Sequence, residues 1–265
     1  MRSQSIALLL FAAAATAGAQ PQPDFKWEKQ LPADKVVSLH NLNGDIVVSP
    51  STSGKVEIIG TRRGRGRSAD DVTIEVVETT RGVTACSMFK NVDMECDEDG
   101  MHMNSRRRGW RDRDYDDGQI DMEVKLPKGM RVEASSVSGD VQVTGAEGVV
   151  RANSVSGRVR LDKLRATSVR ASSVSGDVDV IVDQLTGEGM LSFSSVSGDV
   201  TAELPKNLDA DISMRSVSGS MDSDFPLTLN GRVSRNNLNA RIGKGGRELD
   251  VHTVSGNVRL RSGRQ

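Results

Sequence analysis

The sequence predicts an all-β protein: a parallel β-solenoid, β-helix-like, with turns of about 18–22 residues and a less regular β region on its N-terminal side. Three observations carry this. The tetrapeptide SVSG occurs at 136–139, 154–157, 173–176, 195–198 and 216–219, and recurs as TVSG at 253–256. The residues around each copy alternate apolar and polar with period 2, the pattern of half-buried strands. Helix start and stop signals are weak throughout.

The glycines of the copies, Gly139, Gly157, Gly176, Gly198, Gly219 and Gly256, lie 18, 19, 22, 21 and 37 residues apart. The last interval is close to two periods, so a degenerate copy is expected inside it. An outlying copy, NLNG, adds Gly44 to the series. Seven residues before the glycine stand Val37, Val132, Val150, Val169, Leu191, Ile212 and Leu249; five before it stand Leu39, Ala134, Ala152, Ala171, Phe193, Met214 and Val251. Two residues after it stand Ile46, Val141, Val159, Val178, Val200, Met221 and Val258, and four after it Val48, Val143, Leu161, Val180, Ala202, Ser223 and Leu260. Inward positions are thus odd before the motif and even after it. A strand cannot change facing without a bulge or a corner, so the tetrapeptide reads as a corner. The change of phase is expected between the first serine and the valine: the serine bonds nearby backbone, the valine plugs the inside of the bend, and the glycine admits a close approach. Stacked turns place equivalent residues ~4.8 Å apart, too far for direct bonds between hydroxyls. One such turn cannot fold alone; its stability comes from its neighbours. An antiparallel sandwich is the competing topology, disfavoured by the lack of two-residue hairpin signals between units.

From the N-terminus, residues 1–19 read as a signal peptide: a basic Arg2, the apolar run Ile6–Ala15, and Ala17-Gly18-Ala19 before Gln20. Residues 20–34 form an N-terminal extension. In a β region over 35–128, the segments 45–50, 55–60, 72–78, 82–89 and 120–127 read as strands, and 104–118 as a charged loop. The repeat solenoid occupies 129–262, and its final unit, ending in Arg259, Arg261 and Arg264, is expected to close the stack and discourage edge-to-edge growth. The mature chain contains no run apolar enough to span a bilayer. With 35 basic and 36 acidic residues, nothing draws the chain to nucleic acid. Aromatic residues make up 3% of the chain, so the core must be aliphatic. Cys86 and Cys96, close together in an exported chain, are expected to pair as a disulfide rather than remain two free thiols.

The SVSGD and SVSGR units, the closing IGKGGRELDVHTVSGNVRL, and the VTACSMF…MEC cysteine pair ahead of LPKGMRVEASSVSGDV resemble the bacterial putative-adhesin family of β-strand-repeat proteins, a domain of unknown function. The resemblance covers about residues 35–262. It implies an exported, envelope-associated β-solenoid, and the adhesin label implies binding; it brings no catalytic residues. The stretch PLTLNGRVSRNNLNA, where a further repeat is due, departs from the pattern.

Four chemistries compete with structural roles. The motif serines lack a nucleophile elbow and an evident base among His40, His102 and His252, so a structural role is expected. Asp45, Asp140, Asp177 and Asp199 follow the glycines, but the full ligand set of a calcium site is missing, and a charge row relieved by Arg158 fits better. Met101, His102 and Met103, with Met88 and Met94 nearby, are donors suited to copper(I), but methionines often only pack and the cysteines are expected to be bridged, so no metal site is expected. Arg62, Arg63, Arg65, Arg67, Arg106, Arg107 and Arg108 could bind an anion such as a phosphorylated glycolipid or acidic polysaccharide, or be solvated loops. The resulting expectation is an exported, non-enzymatic protein without a cofactor, periplasmic or at the cell surface. It would act as an adhesin or envelope scaffold that meets an envelope protein or surface glycan. The alternative is a periplasmic component of an envelope-stress signalling system.

Overall fold

The structure is a computed structural model and describes residues 23–63, 71–90, 92–103, 118–229, 234 and 236–263. The signal peptide assigned to 1–19 and almost all of the charged loop 104–118 lie outside these residues. The chain enters as β1 (Phe25–Lys29), followed by β2 (Val36–Asn43) and β3 (Ile46–Pro50) on either side of Gly44. Next come β4 (Val56–Arg63), β5 (Val72–Glu78), β6 (Gly82–Phe89), the short β7 (Met94–Asp97) and β8 (Gly100–Met103), and β9 (Gln119–Leu126). The repeat supplies β10 (Arg131–Ser138), β11 (Val141–Thr144), β12 (Glu147–Ser156), the bent β13 (Val159–Ser175), β14 (Val178–Leu185), β15 (Leu191–Ser197), β16 (Val200–Leu204), β17 (Ala210–Ser218) and β18 (Met221–Ser223). The chain ends with β19 (Thr228–Leu229), β20 (Asn237–Ile242), β21 (Arg247–Ser255) and β22 (Val258–Ser262).

The strands before each repeat glycine stack into one parallel wall, in strict register: Val37, Val132, Val150, Val169, Leu191, Leu249 and Ile212 are successive partners. The strands after each glycine form a second wall through Ile46, Val141, Val159, Val178, Val200, Val258 and Met221. All but the last, Met221, are buried, and together they form one aliphatic core between the walls. The β-solenoid expected from the repeat is the observed fold. At its N-terminal end β6 extends the first wall and β9 the second, both in parallel. Antiparallel β5, β4 and β1 then cover those edges.

Three expectations are corrected. First, the spatial order differs from the chain order. β21 lies between β15 and β17, and β22 lies between β16 and β18, so the final repeat is threaded between the fourth and fifth SVSG copies. Among its described residues the degenerate stretch adds no parallel strand to either wall. β20 instead runs antiparallel on β17, with Ile212 opposite Ala240, and β19 pairs with β20. A strand without the corner motif can serve as an edge, whereas TVSG carries every group an interior turn needs. Second, Arg259 and Arg261 guard no edge: Arg259 bonds Asp199 at 2.6 Å, and Arg261 bonds Asp222 and Asp224 at 2.8 and 2.9 Å. Third, the motif valine does not plug the bend. It points outward, and the change of facing falls later, across the second serine, the glycine and the following residue.

Candidate functional site

The corner is built around one carbonyl per turn. Ser136 Oγ donates to Gly44 O at 3.1 Å, Ser154 to Gly139 O at 2.9 Å, Ser173 to Gly157 O at 2.8 Å and Ser195 to Gly176 O at 2.9 Å. The chain then threads through Thr253 to Gly198 O at 2.9 Å and Ser216 to Gly256 O at 2.8 Å. Asn41 closes the series at the other end by donating to Ile120 O at 2.8 Å. These side chains are only 1–4% exposed. The glycine of each copy faces the same carbonyl that its serine bonds. A Cβ on Gly157 would collide with Gly139 O, and one on Gly198 with Gly176 O. The glycine is therefore required by the close approach of two backbones.

Burying the first serine turns the valine beside it out to solvent, since adjacent strand residues face opposite ways. Val137, Val155, Val174, Val196, Val254 and Val217 succeed one another along the edge, with exposures from 39% at Val137 to 63% at Val217. At ~4.8 Å per step, this apolar ridge is ~24 Å long. The second serines, Ser138, Ser156, Ser175, Ser197, Ser255 and Ser218, line its side and are likewise exposed. Their carbonyls take up glycine amides of neighbouring turns, as in Gly44 N to Ser138 O at 2.8 Å and Gly198 N to Ser255 O at 3.0 Å.

Beyond the serines runs the row that follows the glycines. It is a bonded ladder as well as a charge row. Asp45 Oδ1 accepts the amide of Asp140 at 2.8 Å, Asp140 that of Arg158 at 2.7 Å, Asp177 that of Asp199 at 2.9 Å and Asp199 that of Asn257 at 2.7 Å. The Asn257 amide, aided by Arg259, holds the Asp199 carboxyl below the ordinary aspartate range. Arg158 stands between Asp140 and Asp177 and reaches the latter at 3.4 Å.

The remaining candidates are dispersed. Arg63 pairs with Asp45 at 3.5 Å and with Asp121, and Arg62 donates to Val72 O at 2.8 Å. Arg65, Arg67, Arg106, Arg107 and Arg108 lie outside the described residues. Cys86 and Cys96 form the disulfide, which ties the β7–β8 hairpin to the outer face of β6. Met101 and Met103 alternate with His102 along β8, so the imidazole faces away from the thioethers; it meets Asp97 at 3.1 Å. Gly100 of the hairpin lies against His40, whose imidazole burial pushes below its ordinary value. A cavity of about 650 Å³ among the connections between strands is lined by Asp183, Glu188, Asp209 and Arg247. Arg247 bonds the carbonyls of Thr167, Gly187 and Gly189 there, and thereby ties the bend of β13 and the β14–β15 connection to the start of β21.

The sequence does not present the valine ridge as a surface, because an apolar residue beside a bend reads as pointing inward. The signal was present: the core positions vary among Val, Ala, Leu, Ile, Phe and Met, whereas this one is valine in every SVSG and TVSG copy.

The sequence that builds this corner stack matches a known family, whose profile, described as Toastrack DUF4097, fits residues 116–261. The chain belongs to the Toastrack DUF4097 family. No curated protein matches its sequence. Among solved structures it is similar to a putative cell adhesion protein from Clostridium sporogenes, at 12% identity and a TM-score of 0.50, over 91% of this chain and 100% of that one. It is also similar to a putative adhesin from Bacteroides fragilis, at 12% identity and a TM-score of 0.41, over 89% and 96% of the two chains. The first likeness supports the fold of this Toastrack chain. No helix among the described residues is long and apolar enough to cross a membrane.

Proposed function

We propose that this Toastrack protein is an exported, non-enzymatic adhesin or scaffold of the bacterial envelope, and that the valine–serine ridge is its contact surface. The carrying observation is the ridge itself: six valines in line, exposed along a rigid corner. Exposed apolar surface that persists in a folded chain marks interaction sites. The disulfide suits an oxidising compartment. The first serine of every copy is occupied in holding the scaffold, which supports a non-enzymatic reading. The solved protein from Clostridium sporogenes, described as a putative cell adhesion protein, agrees with a binding role. Of the two partner classes, the ridge's methyl groups favour an envelope protein, while the polar outer faces of the walls are better suited to a glycan.

Photo-cross-linking in intact cells tests this. A photoreactive residue at Val174 or Val196 is compared with one at Arg170 or Thr201 on the walls. The proposal predicts capture of an envelope component from the ridge positions above the wall positions. Equal or absent capture from the ridge would overturn it. Recovery of one stoichiometric regulatory protein would replace adhesion by the signalling role.

A further inference from the structure

We propose that the disulfide-pinned hairpin and the β6 face beneath it form a thioether site for a soft monovalent cation, copper(I) or silver(I), held by Met88, Met94 and Met103. The inference is independent of the adhesive reading. Four of the chain's ten methionines fall within residues 88–103. Of the others, Met122, Met130 and Met214 are buried core residues, so packing accounts for them.

The strand registers bring the cluster together. On β6, Val83 and Ala85 pair with Val37 and Leu39 and face the core, which puts Cys86 and Met88 on the outer face. The bond from Cys86 to Cys96 turns the Cys96 face of the hairpin onto β6. That face also carries Met94, Met101 and Met103: Met94 lies opposite Met103, and Cys96 opposite Met101. Met88 and Met94 each stand two residues from their cysteine, both toward the connecting loop, so they flank the disulfide on the same side. Side chains directly opposed on one face have Cβ atoms ~5 Å apart. Methionine, with three rotatable bonds, can bring its sulfur from that distance to a shared centre.

The donor chemistry selects the ion. Thioethers are neutral, soft and untitratable, and prefer copper(I) to zinc or calcium. The cysteines are oxidised, so thiolate does not compete. His102 lies on the opposite face with Asp97 and Glu95, so the Met-His-Met run is not itself the ligand set. Met88 and Met94 are half-buried and Met103 is 43% exposed, which leaves the mouth open to an ion.

The oxidised full-length protein is titrated anaerobically with copper(I) against bicinchoninate, while the methyl resonances of ε-13C-methionine are followed. The expected result is a single equivalent of copper withdrawn from the chelator. Resonances of Met88, Met94 and Met103 should shift, and those of Met122, Met130 and Met214 should not. Replacing all three by leucine (Met88→Leu, Met94→Leu, Met103→Leu) should weaken binding by at least about 10-fold, the loss that even an outer-shell change causes, while leaving the melting temperature unchanged. If the triple variant does not fold, Met103→Leu alone, at an exposed position, is expected to show the weakening. The proposal is overturned if the chelator keeps all the copper, if the folded variant binds as wild type does, or if His102→Gln abolishes binding while the methionine resonances stay still.

Discussion

Ser173 donates its hydroxyl proton to Gly157 O, and Gly176, in the same repeat copy, leaves room for that same oxygen. The pairing recurs at every corner, so serine and glycine are two halves of one device for seating a turn on the carbonyl below. Ser173→Ala should lower the free energy of unfolding by about 1 kcal/mol, the usual value of such a bond. Gly176→Ala adds a methyl that the oxygen cannot escape, and should cost roughly 3 kcal/mol or more. Val174→Ser, next to both, should change stability by less than about 0.5 kcal/mol, as exposed positions do. Denaturant unfolding of the three variants checks this ranking. The serine's role was legible in the sequence, because a small hydroxyl residue at each corner can only meet backbone. The valine's facing was not: apolar character and simple alternation give opposite answers at that position, and alternation wins because the buried serine has already fixed the phase.

The β7–β8 hairpin is the element whose place depends most on tertiary contacts. Its two strands have four residues each, too few for their alternation to announce them, whereas β5 and β6 have the bounds their apolar pattern gives. The sequence does not announce β1 either, since Phe25 and Trp27 are its only apolar positions, and both are only half-buried against the core. The hairpin covers His40, and burial is the main cause of that imidazole's lowered pKa, opposed by the nearby Glu133 and Asp97 carboxylates. The unfolded chain takes up this proton near the ordinary value of 6.5, and the folded chain only at lower pH. Stability from His40 is therefore complete above that value and declines as the pH falls below it. Urea unfolding at pH 7.5 and 5.5 should show the decline in wild type and a flatter response in His40→Asn. Asp97 and Asp199, whose pKa values are also lowered, affect stability only in more acid solution, below the aspartate value of 3.8. Removing the disulfide by Cys86→Ala with Cys96→Ala should lower stability by about 2–3 kcal/mol, as expected for a short closed loop.

Across the whole molecule, the repeat made the register legible but not the order of its turns. Every SVSG copy offers the same corner, and nothing local distinguishes which neighbour β21 will meet. The decision rests on the stretch between Gly219 and Gly256, which lacks the motif and supplies β20 as an antiparallel edge on β17, leaving the gap beside β15 for β21. Deleting residues 247–265 should therefore do more than shorten the coil. It removes the partner shared by β15 and β17, and loss of amide protection should spread to both strands in hydrogen exchange. The ridge depends on the same order, since Val254 fills the step between Val196 and Val217. The most direct test replaces these valines pairwise by cysteine, the two native cysteines being already bonded, and treats each pair with a thiol reagent spanning ~5 Å, about one strand spacing. The account predicts efficient cross-linking of 196 with 254 and of 254 with 217, and little of 196 with 217. Efficient linkage of 196 with 217, and none of 196 with 254, would show a coil stacked in chain order and contradict it.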